Sequence, residues 1–398
     1  MSDTAALRSN NAALVLTEIR RRGETSRVDI AAALGLSAAT VTAIVTDLLA
    51  QGLVRETDTV AASGRGRPRR QITLNPTARF VAGAKLNRAS ITVAILDFSG
   101  DVLADVEAPL PEGQIGHDIL VDTLKNAFAE ALGGAGLDAR DIVGFGMGVP
   151  GFVERETGLC HWSPILQGTP VNVREMLERE IPCPVAVDND ANLATLAELW
   201  FGHGRDHRDF LVVTVEHGVG LGVVIDGRLY RGACGLGAEF GHTKVQIDGA
   251  LCRCGQRGCL EAYVADFALA REAVTALSAQ DLPTDTGALI DLLADRARAG
   301  DLAPAAIFRR AGRMLGLGLA NLVNLFDPSL IVLTGGWMHN HNLMMEGVTR
   351  SVEENSLRTG RERVRIETHR WGDGLWARGA GALALEAIDV PGREAVAS

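Results

Sequence analysis

The sequence predicts a multidomain α/β protein with a winged helix-turn-helix at its N-terminus. Three observations carry this. The first 76 residues read as short helices followed by a hairpin. Strand–helix alternation takes over from about residue 80. Charge divides at the same place: residues 1–76 hold ten arginines, no lysine and seven acids, a net +3, and since the whole chain carries −10 the remainder carries −13. A basic head on an acidic body points to a DNA-contacting module joined to a part that does not contact DNA. The 398 residues suit two or three domains, and 47% hydrophobic content excludes wholesale disorder. The 45 glycines exceed the ordinary share of roughly 7%, as expected where ligand loops sit at strand ends.

Leu7 to Arg22 reads as the first helix, with Leu14, Leu16 and Ile19 apolar and Gly23 as its stop. Thr25 or Ser26 caps a second helix carrying Ile30, Ala33 and Leu34. Gly35-Leu36-Ser37 is a tight turn, and Ser37 caps a third helix with Val41, Ile44 or Val45, and Leu48 inward. Two short helices around a glycine turn are the helix-turn-helix pattern. The outward face of the third helix offers Ser37, Ala38, Ala39, Thr40, Thr42 and Ala43 as candidate DNA contacts, with Thr46 beyond them. Alanine and threonine methyls suit thymine methyls, and hydroxyls suit phosphates. Leu53–Glu56 and Gln71–Leu74 read as the two strands of a wing. Between them Arg65, Arg67, Arg69 and Arg70 stand among glycine and proline, a composition that suits a narrow A·T minor groove.

The body begins at about residue 78. Phe80 to Asp97 reads as a hairpin turning near Asn87-Arg88, with a third strand at Val102 to Ala108 and a helix from His117 to Leu132. Val143–Val149 and Pro184–Val187 are short buried strands. The second ends at Asp188-Asn189-Asp190-Ala191-Asn192, and a helix continues from Leu193 to about Phe201. Phe210–Val215 and Leu221–Ile225 form another strand pair. The longest apolar run, Phe210 to Ile225, is broken by Glu216 and His217, so no membrane span is expected. The N-terminus has no apolar segment of signal-peptide type, which predicts a cytoplasmic protein.

His242, Cys252, Cys254 and Cys259 supply one imidazole and C-x-C-x4-C. Four such ligands match a closed tetrahedral zinc site, which is structural because no position stays open. Three thiolates leave a net −1 there, and Arg253 and Arg257 are placed to offset it. Cys160, Cys183 and Cys234 read as small core residues.

The run Gly235-Leu236-Gly237-Ala238-Glu239-Phe240-Gly241-His242, followed by Cys252-Arg253-Cys254-Gly255-Gln256-Arg257-Gly258-Cys259-Leu260-Glu261, resembles the ROK family of sugar kinases and sugar-responsive bacterial repressors. Asp188–Asn192, Asn324–Gly336 and Gly379–Leu383 match further segments of that family, and the head matches its repressor branch. The resemblance covers nearly the whole chain. It implies a two-lobed actin-like ATPase fold with zinc in the second lobe and a C-terminal helix returning to the first. The domains expected are the head at 1–76, a first lobe at 78–200 with 372–398, and a second lobe at 201–371. It also implies sugar contacts at Asn189, Asp190, Glu239, His242 and Glu261; carboxylates and amides suit vicinal hydroxyls.

In the family's kinases the residue at Asp190 is the base that accepts the hydroxyl proton. Catalysis also needs ATP held and its charge neutralised. The family's first phosphate loop, roughly Asp-x-Gly-Gly-Thr-Lys, is matched here by Lys85-Leu86-Asn87-Arg88-Ala89-Ser90. The second, usually Gly-Thr-Gly, is matched by Glu216-His217-Gly218-Val219-Gly220. Side chains replace glycines that let backbone N–H groups reach phosphate, and Glu216 would repel it. The expected function is therefore a repressor of carbohydrate uptake or catabolism genes that binds operator DNA and a small sugar effector, and is not an enzyme. The alternatives are a bifunctional or true ROK sugar kinase and a regulator sequestered by a partner protein. Two half-sites call for a homodimer or homotetramer. Ile165 stands where the kinases often carry asparagine, which puts a standard hexose in question.

Overall fold

In the computed structural model, residues 3–60, 69–233, 235–277, 282–336, 340–357, 364–369 and 374–388 are described. The chain forms two units, residues 1–206 with 373–398, and residues 207–372.

The head consists of α1 (Asp3–Arg22), β1 (Thr25–Ser26), α2 (Arg27–Leu34), α3 (Ala38–Ala50), β2 (Val54–Val60) and β3 (Arg69–Leu74). Its local chemistry follows the sequence. Ser26 Oγ caps α2 by accepting from Asp29 N, Gly35 ends it at φ 64°, and Ser37 Oγ caps α3 by accepting from Thr40 N. Val41, Ile44, Val45 and Leu48 are the buried stripe of α3. Two details differ from the sequence reading. Helix α1 starts at Asp3 rather than Leu7, because the residues before Leu7 do nothing to break it. Thr25–Ser26 is also a short strand, pairing with Ile72 and Gln71, so the wing sheet has order β1-β3-β2.

The first lobe holds β4 (Phe80–Leu86), β5 (Ser90–Asp97), β6 (Val102–Pro109), α4 (His117–Ala135), β7 (Ile142–Val149), β8 (Phe152–Glu154), β9 (Leu159–Trp162), β10 (Val171–Asn172), α5 (Val173–Glu178), β11 (Val185–Asn189) and α6 (Asp190–Phe201). Its main sheet has order β11-β7-β4-β5-β6. The β4-β5-β6 pairs are antiparallel, and the β4-β7-β11 pairs are parallel. Strand β5 is buried along its whole length, whereas β6 alternates, as an edge strand with one wet face does. Cys160 and Ile165 lie in the core beneath this sheet, while Cys183 is only half-buried at its margin. Cys234 lies outside the described residues.

The second unit holds β12 (Phe210–Val215), β13 (Val219–Ile225), β14 (Arg228–Tyr230), α7 (Glu261–Val264), α8 (Asp266–Ala276), α9 (Thr286–Arg298), α10 (Leu302–Phe326), β15 (Leu330–Thr334), α11 (Met345–Asn355) and β16 (Arg365–Thr368). Its sheet order, β14-β13-β12-β15-β16, repeats the first: three antiparallel strands, then two added in parallel. The two halves are thus built on one plan. The apolar stripe of α10 covers this sheet's core.

The final helix, α12 (Gly374–Ile388), returns to the first unit and packs on β4, β7 and α6. The approach is close enough to require missing side chains. A Cβ on Gly146 of β7 would lie 1.9 Å from the Ala380 carbonyl oxygen. Gly146→Ala should therefore force the helix off the sheet and destabilise the first unit by about 1–3 kcal/mol or more. A urea melt of the full chain reads this as a lower midpoint, and an unchanged midpoint would mean that the helix has slack.

Candidate functional site

The outward residues of α3 are where the sequence places them. Ser37, Ala38, Ala39, Thr42 and Ala43 are exposed, and Thr40 is half-buried. Their hydroxyls, however, are engaged. Thr42 Oγ1 donates to Ala38 O at 2.7 Å, Thr46 Oγ1 donates to Thr42 O at 2.8 Å, and Ser37 Oγ and Thr40 Oγ1 share a bond at 2.8 Å. A phosphate only accepts, so Thr42 and Thr46 offer DNA a methyl and a lone pair, not a phosphate donor. The sequence reading offers these hydroxyls to phosphates; in the structure those of Thr42 and Thr46 are bonded within α3. The wing also carries an internal ion pair. Arg70 pairs with Glu56 at 2.5 Å, and Arg27 holds the other oxygen of Glu56 at 3.0 Å. The bonds from Arg70 and then Arg27 keep the Glu56 carboxyl below the usual range. Arg65 and Arg67 lie outside the described residues, as does the Arg69 side chain.

In the first unit β11 runs directly into α6 at Asp188–Asn192, at the carboxyl end of a parallel strand, where α/β sheets hold ligands. Asp188 is fully buried, and its Oδ1 accepts from Asn189 N at 2.8 Å and from Asn192 Nδ2 at 2.7 Å. Arg155 Nε lies 4.0 Å from the other oxygen. Asn189 donates its amide to Gly151 O at 2.7 Å and accepts from Ala191 N at 2.8 Å, as the cap of α6. Its side chain therefore shapes the loop. Asp190 is the first helical residue, so α6 begins three residues before Leu193, and the helix N-terminus favours its carboxylate.

In the second unit His242, Cys252, Cys254 and Cys259 come together with their ligand atoms within 4.8 Å of one another. His242 Nδ1 is 3.8 Å from Cys252 Sγ, and Cys254 Sγ is 3.7 Å from Cys259 Sγ. Tetrahedral bonds of about 2.3 Å to sulfur imply edges of roughly 3.8 Å, so the group can hold a metal ion. Gly258 makes the knuckle possible, with φ at 78° and a position where a Cβ would meet Gln246 O at 1.8 Å. The cation beside the sulfurs is one the sequence reading missed. Lys244 Nζ is 2.9 Å from Cys259 Sγ and is also bonded to Gln256. Arg253 instead lies over the Phe267 ring, and Arg257 donates to Gly249 O. Lys244 sits two residues past His242, on the strand-like bridge to Cys259, a spacing that could have flagged it.

Glu239 is exposed and precedes the 3-10 turn Phe240–His242, next to Ala238 at φ 69°. Glu261 is half-buried. Its Oε1 is 3.7 Å from Cys252 Sγ, and its Oε2 accepts from Val219 N at 3.3 Å. Thus Glu261 ties the His/Cys cluster to the segment Glu216–Gly220. That segment is also held by His217 Nδ1 at 3.1 Å from Asp266 Oδ2. In the turn Lys85–Ser90, Lys85 is buried with its ammonium 3.6 Å from the centre of the Trp376 ring, and Asn87 N donates to Ser90 O to close the turn.

Comparison with known proteins agrees with this architecture. The ROK family model matches residues 81–387, and a MarR family model matches residues 8–65. The chain is 30% identical over 359 residues to the N-acetylglucosamine repressor of Escherichia coli O6:H1, covering 89% of this chain and 87% of that one. The crystal structure of a ROK family transcriptional regulator, a homologue of the E. coli MLC protein, matches with a TM-score of 0.79 at 26% identity, over 96% of this chain and 97% of that chain. A ROK hexokinase from Thermus thermophilus matches with a TM-score of 0.66 at 32% identity, over 78% of this chain and 99% of that chain. Among the described residues no helix is long and apolar enough to cross a membrane.

The contact of Lys244 with the cluster has a measurable consequence. Lys244→Met should weaken retention of a divalent metal about 10- to 100-fold, the usual effect of losing an outer-shell partner. A chelator titration followed by metal analysis reads this. Wild-type retention would show that the ammonium does not support the thiolates.

Proposed function

The chain belongs to the ROK family, and we propose that it is a sugar-responsive transcriptional repressor: its winged head binds operator DNA, and the occupancy of a sugar site in the body sets that affinity. The observation that carries this reading is the joining of a helix-turn-helix head to the ROK body in one chain, which matches the structure of a ROK family transcriptional regulator over 96% of its length. We place the sugar contacts at Asp190, Glu239, His242 and Glu261, with Asn189 holding the loop. A carboxylate at Asp190 accepts from sugar hydroxyls, and His242 can offer the ring nitrogen not facing the sulfurs. The metal is best taken as structural zinc, since one imidazole and three thiols fill four positions. When bound it would supply lobe rigidity. Burial pushes the Cys252 thiol up to about 12 in the bare protein, so metal binding has to displace protons there.

The kinase reading rests on the hexokinase match and on Asp190 at the base position. Against it stand Lys85 under Trp376, the glycine-free turn 85–90 and the carboxylate of Glu216 in the second loop. ATP phosphates need backbone N–H groups and cations, and these positions supply neither in the expected form. A coupled ATPase assay with D-glucose, D-xylose and N-acetylglucosamine should show no sugar-dependent turnover; rates near about 1 per second would make the protein a kinase.

A thermal-shift panel with the same sugars identifies the effector class. A sugar at about 100 times its Kd adds roughly 2.7 kcal/mol of stability, and Asp190→Asn should remove that gain while leaving DNA affinity without sugar intact. Loss of DNA binding in that variant would make Asp190 structural. On the head, Glu56→Gln should free Arg70 and Arg27 for phosphate, raising DNA affinity and steepening the salt dependence by up to about 0.9 per released arginine. A salt titration with unchanged slope would place both arginines off the DNA.

A further inference from the structure

Helix α6 links two places that the proposed function keeps apart. Its first residue is Asp190, in the loop assigned to sugar; its last turn holds Trp200 and Phe201. Twelve residues at a rise of about 1.5 Å make it roughly 18 Å long. Every residue from Ala191 to Trp200 is buried, so it is held as a rod and not as a surface helix.

The far end of this rod grips the DNA-binding head. Arg20, in the last turn of α1, is only 5% exposed. Its guanidinium lies 4.4 Å from the centre of the Trp200 ring and 5.2 Å from that of Phe98. The next residue is fixed as well: Arg21 Nη1 donates to Arg205 O at 2.8 Å, and Arg205 Nε donates back to Arg21 O at 2.8 Å. Arg21 O is a carbonyl at a helix end, which the helix itself leaves without a partner. Arg205 belongs to the 3-10 turn His203–Asp206, and Glu198 of α6 binds that turn by accepting from His203 N at 2.9 Å. On the head side Glu18 bonds to Arg21 and Arg22. Burial raises its carboxyl, but these bonds outweigh burial and hold it below the usual range. Phe98 closes the arrangement, because its N–H donates to Pro76 O in the linker that follows the wing.

We infer that Arg20 is the positioning residue that couples sugar occupancy to the DNA-binding head, by stacking on Trp200 at the end of the helix that begins at Asp190. The inference rests on the sugar-site reading above. Among the described residues the head is attached through the linker at residues 75–79, the α1–α6 stack and the Arg21–Arg205 bonds. With the linker as pivot, the contacts of α1 with α6 and the turn after it convert a small displacement of α6 into a rotation of α1, and α3 follows because Val15, Leu16 and Ile19 of α1 are buried and α1 contacts α3. A guanidinium suits this role better than an ammonium, since it is planar and stacks by its face.

The test is hydrogen exchange of the full-length chain with D-glucose, D-xylose and N-acetylglucosamine. In the wild type, a sugar that slows exchange at residues 189–195 should also change exchange at residues 15–22 several-fold. Arg20→Lys, which keeps the charge, and Arg20→Ala should both keep the response at 189–195 and lose the one at 15–22. A wild-type response at 15–22 that survives in both variants overturns the inference. So does a sugar response at 189–195 in the wild type with none at 15–22. If no sugar alters exchange at 189–195 in the wild type, the sugar-site reading itself fails, a distinct result that removes the inference with it.

Discussion

The close packing of α6 against α12 is the constraint on which the first unit depends. A Cβ on Gly379 would lie 2.0 Å from Leu193 O, so the two helix backbones touch with no side chain between them. Interiors packed at this density pass a displacement on more readily than they absorb it. The same α12 lies on β4 and β7 and carries Trp376 over Lys85. Any shift of the Asp190 loop therefore involves the sheet, the last helix and the seat of α1 together. Under the proposed function, a ligand at Asp190 acts on one mechanical body and not on an isolated loop.

The residues that the family resemblance matches to the two phosphate loops make internal contacts here. Lys85 is buried against an aromatic face, and the turn after it is closed by a backbone bond instead of a glycine cradle. The second loop is held at its tip by His217 with Asp266 and at its base by Glu261. Because Glu261 also approaches Cys252, the metal knuckle and this loop share one carboxylate. Ordering the knuckle would order the loop, so a metal here would have an architectural effect beyond its own ligands.

Much of this was legible in the sequence, and the reasons are local. The helix-turn-helix follows from Ser26, Gly35 and Ser37, whose capping and left-handed roles depend on neighbours within four residues. The His/Cys cluster follows from C-x-C-x4-C, a spacing that closes on itself. What stayed hidden depends on residues far apart in the chain. Arg20 and Trp200 are 180 positions apart, and nothing near either one announces the stack. Between Glu261 and Asn324 the sequence reading places no helix, although α10 carries a clear apolar stripe; the backbone contacts made at Gly312 and Gly316 by α11 and the residue before it join positions about 30 residues apart and leave no local mark. Arg253 and Arg257 are nearer to the cysteines in sequence than Lys244 but face Phe267 and Gly249, whereas Lys244 reaches Cys259 across a bridge that spacing alone does not show. The engaged hydroxyls of Thr42 and Thr46 were likewise invisible, because a side-chain bond to a carbonyl four residues back leaves no mark on composition.

Coupling between two sites is a single free energy, and it has to be the same when read from either end. The most direct test of the account is the affinity of the full-length protein for its effector sugar, measured by calorimetry on free protein and on protein saturated with operator DNA. The account predicts two different affinities, whose ratio equals the ratio of DNA affinities with and without sugar. Equal sugar affinities in the free and DNA-bound protein would contradict it.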